Sequence, residues 1–143
     1  GYSSAASDVY KRQAVLLATG AAWEGFDFPG DCVSLLIIPR LPFAYPDALK
    51  EKEREEYVSL CQFIQNVAVP EMQIKLRQGF GRAIRTESDT CVIAILDERA
   101  SHGRRYYAAM RDALPDMRTT SSLWAVTKFL RERKPESYFE VCA

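Results

Sequence analysis

Three short, continuous apolar runs constrain the fold of this 143-residue chain more than any other feature. Each run is rich in Val, Leu, Ile or Ala, and the three are Ala14 to Ala18, Val33 to Ile38 and Cys91 to Leu96. Runs of this length without polar alternation are typical of strands buried on both faces, as in a parallel sheet covered by helices. Between and after the last two runs lie helical stretches, Asp47 to Asn66, Glu71 to Thr86, His102 to Ala113 and Ser121 to Glu132. The sequence therefore predicts an α/β fold with a mainly parallel sheet flanked by helices.

The first helical stretch carries an apolar stripe. Its members fall at i, i+3, i+4 and i+7, and they are Tyr57, Leu60, Cys61 and Ile64. This spacing places side chains on one face of a helix. We expect that face to pack in the core rather than to bind a partner.

The octet Gln-Gly-Phe-Gly-Arg-Ala-Ile-Arg, from Gln78 to Arg85, combines an amide with two arginines. On a helix, Gln78, Arg82 and Arg85 fall at i, i+4 and i+7 and share one face. Two neighbouring guanidinium groups repel each other, so they favour an anionic partner, and a polyphosphate suits their planar donors. The alternative is a solvated helix face, which is the usual role of arginines at this spacing.

Two glycines interrupt the same stretch. Gly79 and Gly81 each cost about 1 kcal/mol relative to Ala inside a helix, so their presence predicts that another group approaches the backbone closely. A dinucleotide-binding fingerprint is a weak alternative. Its third glycine is absent, and the residues from Gln73 to Gln78 are polar and helical rather than a strand.

A second segment follows the first apolar run and reads Ala-Thr-Gly-Ala-Ala-Trp-Glu-Gly-Phe-Asp-Phe-Pro-Gly, from Ala18 to Gly30. With the octet it resembles motifs V and VI of superfamily 2 helicases, specifically the DinG-type and XPD-like branch with its Trp-Glu-Gly-x-Asp and Gln-x-x-Gly-Arg-x-Ile-Arg signatures. Further matches follow in that branch's order: Leu41-Pro42-Phe43 with Pro46-Asp47, Ile95 to Arg99, and Leu114-Pro115. The resemblance covers residues 14 to about 130.

The resemblance implies that residues 14–143 are part of the second RecA-like motor domain of a helicase. It places Arg82 and Arg85 at the γ-phosphate of ATP, across the cleft between two motor domains, with Arg85 the better candidate for the arginine finger. It also implies that Gln78 holds the γ-phosphate or its attacking water. The alternative for Gln78 is a surface amide.

For the Trp-Glu-Gly segment, the resemblance assigns Gly25, Asp27 and Glu24 to the nucleotide site. Asp27 would face the ribose or the arginines, and its alternative is a cap beside Pro29 and Gly30. Glu24 would couple the nucleotide to the surface that binds the strand.

The start of that segment is the expected contact with single-stranded DNA. Thr19 and Gly20 end a strand, where hydroxyl and backbone donors can meet a nucleic acid phosphate without reading sequence. Trp23 would either stack on a base or fill the core.

Most of the machinery for ATP hydrolysis is absent from the sequence. No Lys follows a Gly, so the chain contains no Gly-x-x-x-x-Gly-Lys-Ser/Thr phosphate loop. Leu96-Asp97-Glu98 mimics the magnesium-binding box of such enzymes, but it comes after the octet, and we expect Asp97 and Arg99 to pair or cap locally. ATP and Mg²⁺ would therefore be bound mainly by a missing N-terminal motor domain of the same polypeptide, the expected partner of this chain.

The four cysteines, Cys32, Cys61, Cys91 and Cys142, are far apart and include no Cys-x-x-Cys pair. This pattern disfavours a zinc or iron-sulfur site, and we expect buried thiols in a reducing cytosol. An iron-sulfur cluster, present in some members of the resembled branch, would belong to the missing half. His102, the single histidine, is expected at the surface near a helix start.

Composition adds few constraints. Lys plus Arg equals Asp plus Glu at 19 each, so nucleic acid binding must depend on local placement of charge. A hydrophobic content of 48% with 27% charged residues predicts a soluble globular fold, which we expect to be cytoplasmic, and no apolar run approaches the roughly 18 residues of a membrane span. Residues 1–13 are small, polar and aperiodic, and we expect them to be a disordered or foreign leader.

The sequence and its resemblance predict the C-terminal half of an ATP-dependent DNA helicase of the DNA repair type, inactive by itself. Two alternatives stay open: a non-catalytic nucleic-acid-binding module with a RecA-like fold, and the helicase-like domain of a nuclease fusion. The upstream sequence distinguishes them, because a phosphate loop there supports the helicase and an exonuclease domain supports the fusion.

Overall fold

The computed structural model of the chain describes Val15, Leu17 and residues 32–139. The chain divides into two compact units, Phe26–Arg118 and the remainder, Gly1–Gly25 with Thr119–Ala143. The predicted strand from Ala14 to Ala18 falls largely outside the described residues.

A small parallel sheet lies in the unit Phe26–Arg118. Strands β1 (Leu35–Ile38) and β2 (Val92–Ile95) pair in register from Leu35 with Val92 to Ile38 with Ile95. Their positions and parallel direction confirm the prediction for these two apolar runs. Burial on both faces is wrong for β1, because Leu35 and Ile37, which share one face of the strand, are 47% and 51% exposed.

Helix α1 spans Ala48–Glu55, and the Asp47 carboxylate caps it by accepting a hydrogen bond from the Lys50 backbone N–H at 2.8 Å. This stretch was expected to continue to Asn66. It stops earlier because α1 buries none of its residues, so no packing extends it.

A new helix starts at the next cap, where the Ser59 hydroxyl accepts a hydrogen bond from the Gln62 N–H. This short helix, α2, spans Leu60–Phe63 and leaves Tyr57 outside. The predicted stripe is therefore broken, and its assignment to the core is wrong, since Leu60 and Cys61 are exposed.

Helix α2 runs through a π-helical turn, Ile64–Ala68, into the long helix α3, Val69–Ala83. Pro70 accounts for the wide turn. Its ring would clash with the carbonyl four residues earlier in a regular helix, and it has no N–H to donate. The Val69 N–H instead bonds to the Ile64 carbonyl.

The core of this unit is formed largely where α3 packs on α4, which spans Tyr107–Ala113. The buried residues of α3 recur at helical spacing and are Met72, Leu76, Gly79 and Ala83. The side chains of Gln73 and Arg77 donate to the α4 carbonyls of Ala109 (2.9 Å) and Ala113 (3.2 Å). The second of these satisfies a carbonyl at the end of α4, where a cation is favourable.

The segment between β2 and α4 contains a 3-10 turn, Glu98–Ala100. Helix α4 was expected to start at His102 but starts at Tyr107, because Gly103 adopts φ +76° and the Arg104 N–H bonds back to the Ser101 carbonyl. His102 is exposed, as expected, and its ring meets Tyr107 edge-on at 5.0 Å.

In the other unit, helix α5 spans Leu123–Arg133 with Ser122 as its cap, which confirms the helix predicted there. A 3-10 turn, Glu136–Tyr138, follows. Together, the helices and the small parallel sheet are compatible with the predicted α/β class. Among the described helices, none has the length and apolar character to cross a membrane.

Candidate functional site

The last turns of α3 carry the first part of the octet. Gln78 and Gly81 are exposed, and Arg82 is half-buried in the final turn. The buried stripe of the helix occupies the opposite side, so Gln78 and Gly81 face away from the α4 contact. The helix thus presents the amide as expected, with Arg82 one turn further on.

Arg85 does not share that helix face, and the prediction that it does is wrong. Helix α3 ends at Ala83, and Ile84 is extended with φ −130° and ψ 114°. Arg85 is exposed and lies just beyond the helix, three residues after Arg82 in sequence.

A turn held by Asp89 explains why the helix stops. The Asp89 carboxylate accepts hydrogen bonds from the backbone N–H groups of Arg85 (2.8 Å) and Thr86 (2.9 Å). It also accepts one from the Thr86 hydroxyl at 2.8 Å. These donors hold the pKa of Asp89 below its usual value, and the Arg85 N–H has the largest effect. Residues 84–89 therefore form a turn closed by side chain to backbone hydrogen bonds, a local structure that competes with helix continuation.

Sequence reasoning missed this turn, although a signal for it is present. Thr86-Glu87-Ser88-Asp89 is a run of small polar and acidic residues of the kind that forms side chain to backbone bonds. The turn sets the backbone at Arg85, so it belongs to the candidate site.

Gly81 has no packing reason for being a glycine within the described chain. Apart from its chain neighbours and the backbone of its own helix, a methyl group placed on its Cα would find no atom of the described residues within 4 Å. Gly79 differs, because it lies on the buried stripe. Close approach to the helix at Gly81 would have to come from a partner outside the described chain.

Asp97 and Arg99 pair locally, as expected from the sequence. Arg99 Nε donates to Asp97 Oδ1 at 3.0 Å and Nη2 donates to Oδ2 at 2.7 Å, while the Arg99 N–H caps the turn through Oδ1. Asp97 Oδ2 also accepts from the Leu41 N–H at 2.9 Å. The Arg99 guanidinium holds the pKa of Asp97 well below its usual range, and the Leu41 N–H lowers it further. Both carboxylate oxygens are engaged, so Asp97 is a structural link between two loops.

The predicted residues of the Trp-Glu-Gly segment lie outside the described residues. They are Thr19, Gly20, Trp23, Glu24, Gly25 and Asp27. Their roles, and their place beside the octet, stay predictions.

A cleft of about 230 Å³ lies away from the octet, between the loop before α1 and the start of α3. Its lining includes Tyr45, Phe63 and Lys50, and none of Gln78, Arg82 and Arg85. Lys50 pairs with Glu53 at 2.8 Å and with Glu71, and these two bonds raise the pKa of the ammonium. Because its lining contains none of the octet residues, this cleft is not the predicted phosphate site.

The cysteines differ from expectation, because Cys32 and Cys61 are exposed and Cys91 is half-buried. Within the described residues, no three His, Cys, Asp or Glu side chains group in a way that could hold a metal ion.

Comparison with known proteins identifies one family and several relatives. The family described as the helicase C-terminal domain matches residues 3–117. The ATP-dependent DNA helicase DinG of Photobacterium profundum is 40% identical over 107 residues, and the ATP-dependent DNA helicase YoaA of Haemophilus influenzae is 37% identical over 127. The 3'-5' exonuclease DinG of Bacillus subtilis is 38% identical over 115 residues.

The matched segments cover 73%, 87% and 73% of this chain, but only 15%, 20% and 11% of these three relatives. The chain thus spans a small fraction of the length of each. No solved structure matches the chain significantly.

Proposed function

The chain belongs to the helicase C-terminal domain family, in its DinG-type branch of superfamily 2, and we propose that it is one motor half of an ATP-dependent DNA helicase. In this proposal, residues 14–143 form a RecA-like domain. The phosphate loop and the Mg²⁺ site lie on an N-terminal motor domain of the same polypeptide. An iron-sulfur cluster, if the protein has one, lies on that half as well.

The position of Arg85 carries the proposal. It is exposed at the end of α3, and the Asp89 turn fixes its backbone N–H. A fixed backbone limits the positions from which the exposed guanidinium can approach a triphosphate held by a facing domain, which favours a preorganised charge. Such preorganised charge is the main source of electrostatic stabilisation in enzymes.

We assign three roles to the octet. Arg85 is the arginine finger, which offsets the negative charge that grows on the equatorial oxygens of the transferred phosphoryl group. Arg82, one turn earlier on α3, binds the γ-phosphate in both ground and transition states. Gln78 orients the attacking water or the γ-phosphate through its exposed amide.

The Trp-Glu-Gly segment completes the proposed site. Gly25 and Asp27 contact the nucleotide, and Glu24 couples it to the DNA. Thr19, Gly20 and Trp23 contact single-stranded DNA, the proposed polymer substrate.

The name of one relative supports the second candidate, a nuclease fusion. The 3'-5' exonuclease DinG of Bacillus subtilis aligns with this chain over only 11% of its own length, so an exonuclease domain would lie elsewhere in such a polypeptide. The helicase proposal is compatible with either arrangement, because this chain itself carries the motor motifs.

The proposal is tested by comparing the chain with the complete polypeptide. We expect no ATP hydrolysis by the chain alone and hydrolysis stimulated by single-stranded DNA in the complete polypeptide. Arg85→Ala should lower the stimulated turnover roughly a thousandfold. Arg54→Ala, which removes an exposed guanidinium from α1, is the matched control and should leave turnover unchanged. ATPase activity in the chain alone would contradict the division of the site between two domains.

A further inference from the structure

A cluster of arginine and aromatic side chains lies at the carboxyl ends of both strands. The parallel register places Ile38 opposite Ile95, so the loops that follow β1 and β2 leave the same edge of the sheet. Phe43 from the first loop packs on Tyr106 from the second, with ring centroids 4.8 Å apart. Ligands of parallel sheets commonly bind at this edge.

Arg99 fixes the two loops together. Its guanidinium carbon lies 5.4 Å from the centre of the Phe43 ring and 5.8 Å from that of Tyr106. The buried Asp97 carboxylate neutralises it through the bidentate pair described above. Arg99 therefore builds the platform rather than offering a charge to a ligand.

Arg104 and Arg105 supply the positive charge that a ligand at this edge could contact. Arg105 is exposed, lies 5.4 Å from the centre of the Tyr106 ring, and forms no ion pair with any described residue. Arg104 pairs with Glu98 at 3.2 Å, but the two side chains are 61% and 81% exposed. An exposed ion pair of this kind contributes little to stability, so Arg104 can leave Glu98 to bind a phosphate.

Backbone hydrogen bonds hold the loop that carries these two arginines. The Tyr106 N–H bonds to the Arg99 carbonyl at 3.1 Å, and the Tyr107 N–H bonds to the Arg104 carbonyl at 3.2 Å. The left-handed conformation of Gly103 closes the turn. The two adjacent arginines thus lie on one short, hydrogen-bonded loop.

We infer that Arg104 and Arg105, supported by the Phe43–Arg99–Tyr106 stack, bind the phosphate backbone of single-stranded DNA. Adjacent guanidinium groups beside aromatic rings are the usual composition of surfaces that follow a single strand without reading its sequence. The inference rests on the proposed helicase function. It adds DNA-binding residues to those proposed in the Trp-Glu-Gly segment, and these residues differ from the ones assigned to the γ-phosphate.

The test measures binding of a fluorescent oligothymidylate to the complete polypeptide as a function of salt. For the double variant Arg104→Ala with Arg105→Ala, we expect the affinity at 0.1 M salt to fall on the order of tenfold. The magnitude of the slope of log K against log salt should decrease by about 1.4, which is about 0.7 for each lost phosphate contact. The matched control is Lys52→Ala with Arg54→Ala, which removes two exposed cations from α1. It should bind like the wild-type protein.

The outcomes separate the inference from the proposed function. Unchanged affinity and salt slope in the Arg104 and Arg105 variant, with a wild-type protein that binds the strand, would overturn the inference alone. A wild-type polypeptide that neither binds the oligonucleotide nor hydrolyses ATP would overturn the proposed function and the inference with it. Because both arginines are exposed, the variant should keep its melting temperature within about 2 °C of the wild-type value. A larger fall in melting temperature together with weaker binding would show that these side chains stabilise the fold, and it would overturn the inference.

Discussion

Asp97 links segments that are far apart in the chain. It accepts a hydrogen bond from Leu41, 56 residues earlier, and it holds Arg99 in a bidentate pair. With a relative exposure of 8%, its carboxylate depends on these donors to offset the loss of hydration. The residue joins the loop after β1 to the turn after β2.

Replacing Asp97 by Asn should therefore destabilise the protein. The amide cannot neutralise Arg99 and can accept at only one atom, and breaking a partly buried pair on one side costs about 2–4 kcal/mol. Chemical denaturation at neutral pH measures the change in the free energy of unfolding. The matched control is Glu98→Gln, whose exposed pair with Arg104 should contribute no more than about 0.5 kcal/mol.

The same carboxylate makes stability depend on pH. Arg99 and the Leu41 N–H lower the pKa of Asp97 in the folded chain relative to its unfolded value, which is about 4. Its contribution is therefore complete above about pH 4 and is lost as the pH falls further toward the folded pKa. The Asn variant should show a flatter decline below pH 4, and identical acid profiles for both proteins would contradict this role.

At the scale of the element, α3 carries two glycines, of which Gly79 is buried and Gly81 is exposed. Gly81→Ala should raise the free energy of unfolding by up to about 1 kcal/mol, because the methyl group meets open space and Ala is the better helix former. Gly79→Ala is the matched comparison. It adds the same methyl group to the buried stripe, where overpacking typically costs about 1–3 kcal/mol. Thermal melts of the two variants should shift in opposite directions. A destabilised Gly81 variant would contradict the open space beside this residue.

The turn after α3 is held by Asp89 and determines the backbone position of Arg85. If it positions Arg85, Asp89→Ala should lower kcat of the complete polypeptide ten- to a hundredfold, since small misplacements of catalytic groups have effects of this size. The KM for ATP should change little. Asp89→Asn keeps one acceptor and should restore part of the rate, a readout that simple loss of stability would not show. A wild-type kcat in the Ala variant would remove Asp89 from the site.

Some elements could be predicted from sequence and others could not. Strands β1 and β2 and helix α5 were predictable, because apolar runs and Ser122 are local signals. The break after α1 was not, since charged residues fit a helix pattern whether or not a core exists to hold it. The late start of α4 depends on Gly103, whose backbone conformation the pattern does not specify.

For the whole molecule, the family was predictable because its motifs are short and contiguous. Gln78 and Arg82 appear on α3 as the octet suggested. The exit of Arg85 from the helix was not predictable from periodicity, because it depends on bonds donated to a carboxylate four residues later. The contact between Phe43 and Tyr106 joins distant segments and required the structure.

The most direct test of the central proposal separates ATP binding from ATP hydrolysis in the complete polypeptide. Single-turnover hydrolysis is measured with single-stranded DNA present, beside equilibrium binding of a fluorescent ATP analogue, for the wild-type protein, Arg85→Ala and the control Arg54→Ala. An arginine finger acts mainly in the transition state, so the Arg85 variant should bind the analogue within a fewfold of wild type while its hydrolysis rate falls about a thousandfold. Hydrolysis by the Arg85 variant at the rate of the Arg54 control would contradict the proposal.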